Sequence, residues 1–538
     1  MKRATVWMPL LIGAAFGGGL ITGALVFPRF TSSEAHSKID AIMSHITDEY
    51  VDNVDTDSLL EASIPDILAK LDPHTTYISS KDLQSVNEEL EGSFCGIGIS
   101  FNMLTDTITV LEVISGGPSE KVGLMAGDRI ITINDSIVAG QKWSNEKVIS
   151  RLRGEKGTEV NLGVMRSTSP NLLKYTVTRG DIPVTSIDAA YMLNDGTGYI
   201  KVNKFGRNTY SEFLNAIVGL RDKGAKRYMI DLRGNGGGYM EPAILMANEF
   251  LPAGSPIVET RGRTDISETS AIADGSGAFQ QSPVVVVIDE FSASASEIFA
   301  GAIQDNDRGT IVGRRSFGKG LVQRQIELPD RSAIRLTTAR YYTPSGRCIQ
   351  KIYTPGSLKS YDMEIVDRYN NGEVFNADSV HLDTSKKFTT MGGRTVYGGG
   401  GIMPDVFVAN DTTGLSTYYL NVLNAGLMHK YAFQYTDKER SRLQKASNVT
   451  ELLKLLPSDD TMLHDFAMFA RNTASIPPRW YYINISRNLI ISQLKALIAR
   501  DVLGSSAFYE VYNEYDPMIT HADKEFSSGV LSSVDKND

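Results

Sequence analysis

Three serines at alternating positions, Ser292, Ser294 and Ser296, follow an apolar run at 283–288 that ends in Asp289-Glu290. The run reads as a fully buried strand, and 297–304 continues as a helix pattern. A serine between a buried strand and a helix start lies beside backbone N–H groups that have no intrahelical acceptor. Such groups stabilise negative charge on a reacting oxygen. Lys319 follows in a glycine-flanked turn, after a second short apolar strand at 310–312. A lysine is a base toward serine only when neutral, and burial is what lowers its pKa by the units required. Phe317, Leu321, Val322 and flanking glycines surround Lys319 in sequence, with no acid close by.

Four chemistries compete for 291–323. Residues 313–319 match the Gly-x4-Gly-Lys start of a phosphate-binding loop, but Gly320 stands where the metal-binding Ser or Thr belongs. A Ser-His-Asp hydrolase needs a histidine. The seven are His36, His45, His74, His381, His429, His464 and His521, and none falls between 75 and 380. Nor does a Gly-x-Ser-x-Gly elbow surround Ser294. A serine nucleophile with a lysine base is the third reading. The fourth is a binding protein whose serines only cap a helix. The residues alone do not choose among the three serines.

At 538 residues the chain exceeds one core and implies several domains. A net charge of −9, without a long basic run, argues against nucleic acid as a partner. The two cysteines, Cys95 and Cys348, make neither a disulfide framework nor a cysteine zinc site and read as separate thiols. Lys2 and Arg3 precede a charge-free run at 8–27, long enough for a membrane span or a signal. No Ala-x-Ala site follows it. An uncleaved anchor in the inner membrane is therefore the expectation, with 30 onward outside the cytoplasm, facing the periplasm.

The elements that must position Ser294 and Lys319 follow from the pattern. Residues 31–85 read as helices, with Ile39, Ile42 and Ile46 on one face and Leu60, Ile64, Ile67 and Leu68 on another. His74, in the break at 71–77, reads as a loop or packing residue. Residues 86–180 read as a small β domain. From 184 strands alternate with helices, which predicts a mostly parallel, covered sheet. The glycine loop at 233–239 lies between a strand and a helix and can present N–H groups to an anion. It is not a dinucleotide fingerprint, because Tyr239 occupies the last glycine position. Residues 351–391 are polar and poorly periodic and read as an insertion or flexible excursion. Residues 411–538 read as a helical extension, with Ile490, Leu494, Leu497 and Ile498 on one face. That extension is a candidate for packing on the core, for forming a homodimer or for binding an adaptor.

Four motifs in register resemble a PDZ domain: Gly96-Ile97-Gly98-Ile99, Gly117-Pro118-Ser119-Glu120, Gly127-Asp128-Arg129-Ile130 and Arg153-Gly154-Glu155-Lys156-Gly157. From 32 to 408 the chain resembles the carboxyl-terminal processing peptidases, or tail-specific proteases. Beyond the PDZ motifs, the resemblance rests on Leu71-Asp72-Pro73-His74, Asp231-Leu232-Arg233-Gly234-Asn235 and Ser292-Ala293-Ser294-Ala295-Ser296-Glu297. It continues through Gly318-Lys319-Gly320 with Val322-Gln323, Tyr341-Tyr342-Thr343-Pro344-Ser345-Gly346, and Gly398-Gly399-Gly400-Gly401-Ile402 with Pro404-Asp405.

The resemblance implies a multidomain α/β serine endopeptidase. Its layout is a signal-anchor or signal peptide (1–30), a helical segment (31–85), a PDZ domain (86–180), a mostly parallel, ClpP/crotonase-like protease core (181–410, with the insertion 351–391) and the helical extension (411–538). In this family Ser294 maps to the nucleophile, Lys319 to its base and Gln323 to the residue that orients the lysine. Ala295 and Gly237 map to the oxyanion hole. Gly96, Ile97, Gly98 and Ile99 map to the loop that takes a C-terminal carboxylate, the peptide then adding as a strand at the sheet edge. The implied partners are exported proteins with unstructured C-terminal tails. No metal and no cofactor is implied. The competing reading is a PDZ scaffold with an inactive protease core, against which the intact Ser294, Lys319 and Gln323 speak.

Overall fold

The computed structural model describes residues 34–527, apart from 104–105, 115, 167–168, 265–267 and 381–382. Along the core run β1 (Ile187–Asn194), β2 (Thr197–Val202), α1 (Thr209–Asp222), β3 (Arg227–Asp231), α2 (Met240–Asn248), β4 (Val284–Ile288) and α3 (Ala295–Asp305). They are followed by β5 (Thr310–Gly313), β6 (Leu321–Glu327), β7 (Ala333–Tyr342), α4 (Leu358–Asn370) and β8 (Val406–Phe407). The main sheet has the order β1-β2-β3-β4-β5-β8. Only β1 runs antiparallel to its neighbour; the remaining pairs are parallel.

Every residue of β4 is buried. Its run of β-branched side chains suits a pleated strand covered on both faces, which is why it does not alternate with polar residues. Each such side chain contributes about 1.5–3 kcal/mol of transfer free energy. On one face pack α1, α2 and α3, with Phe213, Phe250 and Phe299 buried between them and the sheet. On the other face Tyr199, Met229, Val285, Val287 and Val312 meet Met518 and Ile519 from near the C-terminus.

β3 and β4 pair in parallel, with Asp231 opposite Val287. The loops that follow them therefore leave the sheet side by side at its carboxyl end, where α/β sheets open a crevice. One loop carries the glycines, 232–239, and the other carries 289–294. A second sheet joins β6, β7 and the strands Thr76–Ile78, Pro256–Gly262 and Thr269–Ile272. β6 lies antiparallel to β7 and sets Gln323 opposite Thr337.

Strands between Ile99 and Thr178 form a separate six-stranded sheet around Ile108, Val110, Ile130, Val160, Val164 and Val177. The C-terminal helices include α5 (Arg487–Leu503), α6 (Ser505–Tyr512) and α7 (Pro517–Glu525). Ile490, Leu494, Leu497 and Ile498, the face expected from periodicity, are buried in a core of their own. α6 packs on β1, and α7 packs on β4 and β5.

One expectation needs correction. The segment 351–391 is not a loose excursion: α4 lies within it, with Tyr361 and Arg368 buried. Its polar residues are partnered. Arg368 donates to the carbonyls of Arg315, Ser316 and Phe317, and Arg315 pairs with Glu373. Residues 34–68 form the helices Glu34–Glu49 and Thr56–Leu68. Ile39 and Ile42 are 48% and 51% exposed, and Thr56–Leu68 has no buried residue. Two helices of this length do not enclose a core of their own. Among the described residues no helix is long and apolar enough to cross a membrane, and the charge-free run at 8–27 lies outside them. Cys95 and Cys348 are free thiols.

Candidate active site

Ser294 ends the loop after β4 and caps α3. Its φ of +56° and ψ of −113° strain a residue that carries a Cβ. The neighbouring serines hold the turn in place. Ser292 Oγ donates to the carbonyl of Leu232 and Ser296 Oγ to that of Asn235, each at 2.9 Å. Both are fully buried, whereas Ser294 is partly exposed. Burial thus separates three serines that spacing alone left equivalent. Ala295 begins α3, so its N–H has no acceptor within the helix.

The glycine loop reaches this turn at Gly237, whose φ is +99°. A Cβ there would stand 2.7 Å from Ser294 Cβ and 2.7 Å from the Ala293 carbonyl, so only glycine permits the approach. The Gly237 N–H, expected to face a developing oxyanion, instead donates to Asn235 Oδ1 at 2.9 Å. Asn235 is buried and donates its own amide to the Val202 carbonyl. An asparagine two residues ahead of that glycine is the signal the sequence reading passed over, since Asx side chains bond the backbone two residues on.

Lys319 enters from the turn before β6. A strand follows it, where a phosphate-binding loop would open a helix. Its Nζ donates to Gln323 Oε1 at 3.0 Å, and Gln323 Nε2 donates to the His74 carbonyl. Among the described residues Nζ has Gln323, not Ser294 Oγ, as its hydrogen-bond partner. Burial pushes the Lys319 pKa down, with help from the Arg335 charge, while Glu297 and Asp72 pull it up.

Glu297 is the acid that sequence neighbours did not reveal. Its Oε2 accepts the backbone N–H of Ser294 at 2.8 Å and that of Lys319 at 2.9 Å. Its Oε1 accepts the Gly318 N–H at 2.8 Å and Ser316 Oγ at 2.5 Å. The side chain is fully buried. Burial raises its carboxyl to about 7, against four donors that favour the charged form. Opposite it, the Tyr341 hydroxyl lies 3.1 Å from the Ser294 carbonyl and also reaches the Lys319 carbonyl. The two backbones are thus tied twice, through their N–H groups and through their carbonyls. An acid three residues past an N-cap serine is the pattern that marks Glu297 in the sequence. Nothing local marks Tyr341.

His74 packs beside this site. Its Nε2 meets the Tyr361 hydroxyl at 2.8 Å, with the rings edge to face at 5.1 Å. Burial and the Lys319 charge lower its pKa to about 4, so the ring is neutral near pH 7. Tyr361 also accepts from Gln350 Nε2 at 3.3 Å, and Gln350 Oε1 accepts the Gly320 N–H at 2.8 Å. Among the described residues no group of three His, Cys, Asp or Glu side chains is placed to hold a metal ion.

Gly96, Ile97, Gly98 and Ile99 line a second cavity, of about 310 Å3, together with Phe94, Ile149 and Arg153. The adjoining strand Ile99–Asn102 is at its sheet's edge. The Arg153 guanidinium lies over the Phe94 ring, 4.2 Å from its centroid, and pairs with Glu88 at 2.8 Å.

Sequence profiles of peptidase family S41 and of the PDZ domain match residues 196–356 and 95–177, and a family of unknown function matches 418–504. The chain is 34% identical over 347 residues to a carboxy-terminal-processing protease of Bartonella bacilliformis, covering 62% of this chain and 79% of that one. The chain belongs to peptidase family S41, the carboxy-terminal processing proteases. Carboxy-terminal processing protease CtpA of Bacillus subtilis is 32% identical over 360 residues, 65% of this chain and 76% of that one. Among solved structures, a photosystem II D1 C-terminal processing protease is 24% identical, covers 71% of this chain and 95% of its own, and has a TM-score of 0.34. This S41 member is accordingly a serine peptidase with a PDZ domain and a helical C-terminal region.

Proposed function

We propose that this S41 peptidase cleaves peptide bonds with a Ser294–Lys319 pair, on proteins whose unstructured C-terminal tails sit in the PDZ groove. The observation that carries the reading is the double tie of Ser294 to Lys319 through Glu297 and Tyr341. Neutral Lys319 takes the Ser294 proton, and Oγ attacks the substrate carbonyl. Lys319 returns the proton to the leaving amine, leaving an acyl-enzyme that water hydrolyses by the same route. Gln323 orients the amine. Ala295 N–H donates to the oxyanion, and Gly237 joins it once its N–H leaves Asn235.

The domain layout proposed is the one expected from the motifs, at 1–30, 31–85, 86–180, 181–410 and 411–538. The parallel main sheet and its companion sheet support a ClpP/crotonase-like core. The charge-free run at 8–27 supports action on exported proteins from an anchored position.

Tail binding gates the site in this reading. Two features fit a resting state: Lys319 Nζ is turned to Gln323, and the Gly237 N–H is taken by Asn235. The helix Leu83–Glu91 links groove to site. Its Glu88 holds Arg153, while its Asn87 accepts Gln325 of β6 at 2.8 Å, two residues past Gln323. Casein hydrolysis by wild type, Ser294→Ala and Lys319→Ala tests the pair: both variants should be inactive, and equal rates overturn it. Deleting 88–180 should change activity on tailed substrates; an unchanged rate rejects the gating.

A further inference from the structure

Arg233 lies at the start of the glycine loop, and it is clamped by two carboxylates, Asp231 two residues before it and Asp516 from the C-terminal extension. Its Nε and Nη2 donate to Asp231, with Nη2 at 2.6 Å from Oδ2. Its Nη1 donates to Asp516 Oδ2, also at 2.6 Å. Asp516 caps α7, accepting the Met518 N–H at 2.9 Å. It lies outside both the peptidase match and the match at 418–504.

Charge explains why the second carboxylate is needed. Asp231 is fully buried and faces two cations, Arg233 and Lys201, the latter at 3.4 Å. Asp188 also acts on Lys201, while Asp516 gives Arg233 a carboxylate that it does not share with that lysine. Packing does not substitute for it. A cavity of about 710 Å3 runs beside the clamp, lined by Arg233, Gly234, Asp289, Tyr512, Asp516 and Met518.

From Arg233 the bonds run directly into the turn that carries Ser294. The Gly234 N–H donates to Asp289 Oδ1 at 2.9 Å, and the Ala293 N–H donates to the Asn235 carbonyl at 3.0 Å. We propose that Asp516 is a positioning residue for the glycine loop, acting from the C-terminal extension through Arg233. The inference rests on the reading that this loop borders the reacting carbonyl at Ser294. The extension is then part of the catalytic apparatus, and the loop's geometry depends on α7 being docked.

Asp516→Asn tests it on the full chain with a fluorogenic peptide that has a free C-terminus. Asparagine still caps a helix but carries no charge for Arg233. We expect kcat to fall roughly 3- to 30-fold, the range for residues that act through a neighbour. KM should be unchanged, the melting temperature should fall because Arg233 loses a buried partner, and Asp516→Glu should restore most of the rate. Wild-type kcat in Asp516→Asn, or a loss confined to KM, overturns the inference. Should that variant not fold, Asp516→Ser, another uncharged cap, is read in the same way. Ser294→Ala is measured alongside. Hydrolysis retained there overturns the Ser294 reading, whereas a normal Asp516→Asn beside an inactive Ser294→Ala overturns this inference alone.

Discussion

Glu297 Oε2 accepts the backbone N–H of Lys319 at 2.9 Å, from a side chain 22 residues earlier in the chain. The same oxygen holds the N–H of Ser294, so one carboxylate sets the separation of the two backbones. An amide in its place turns an N–H toward backbone donors. Glu297→Gln should lower stability to urea by about 1–3 kcal/mol, the cost of a buried donor left unpaired. It should also lower kcat by on the order of 10²-fold through misplaced reacting groups. Near-native kcat in a folded Glu297→Gln protein would reject the role of this tie.

Gln323 and Lys319 give a prediction with a sign. A carboxylate beside an amine stabilises its charged form and raises its pKa. Gln323→Glu should therefore shift the rising limb of the kcat/KM pH profile about 1–3 units toward alkali. A profile that keeps its position would show that Gln323 does not face the working base.

The same groups affect stability in opposite directions. Lys319 is depressed by burial, so the folded chain holds that proton less tightly than the unfolded one. Its contribution is whole above the ordinary value of 10.5 and is lost as pH falls through the lowered one. Glu297 is raised by burial from 4.5 to about 7. Its contribution is whole below 4.5 and is lost as pH rises through about 7. Urea midpoints of wild type and Glu297→Gln, measured across that window, should converge as pH rises, because only the wild type loses this contribution. Parallel curves contradict the assignment.

How far the sequence reaches is clearest at individual residues. The run at 283–288 and the serine turn after it were legible, because an unbroken stretch of β-branched residues before a helix pattern has few other solutions. The glycine-flanked motifs at 96–99 and 153–157 were legible for a similar reason, since turns need particular residues. The part played by Glu297 was not, because its donors come from 294 and from 316–319 and only the fold gathers them. α4 was misread because its polar residues find buried partners, which polarity alone does not reveal. The bond from the Gly237 N–H to Asn235 Oδ1 was not read from the sequence, although an Asx side chain two residues earlier is a local signal for it. At 34–68 the helical period was legible, but periodicity does not say what covers an apolar face.

His74 supplies a control on the identity of the base. It is near Lys319 and Gln323, yet its ring nitrogen is bound to Tyr361 and its pKa is lowered to about 4. Gln323 uses the His74 carbonyl, which any residue keeps. His74→Ala should thus cost less than roughly tenfold in kcat, within the effect of a lost neighbouring hydrogen bond. The pH profile should keep its shape. Complete loss, or loss of one limb of the profile, would make His74 the base instead.

In the proposed mechanism Ser294 is the nucleophile and Lys319 its base. Intact-mass and peptide mapping after exposure to a serine-directed fluorophosphonate test it most directly, for wild type and Lys319→Met over a range of pH. The expected result is a single adduct on Ser294, forming faster as pH rises through the lowered Lys319 pKa, with Lys319→Met slow and nearly flat. An adduct on Ser292 or Ser296, or equal rates with the same pH dependence in Lys319→Met, would contradict it.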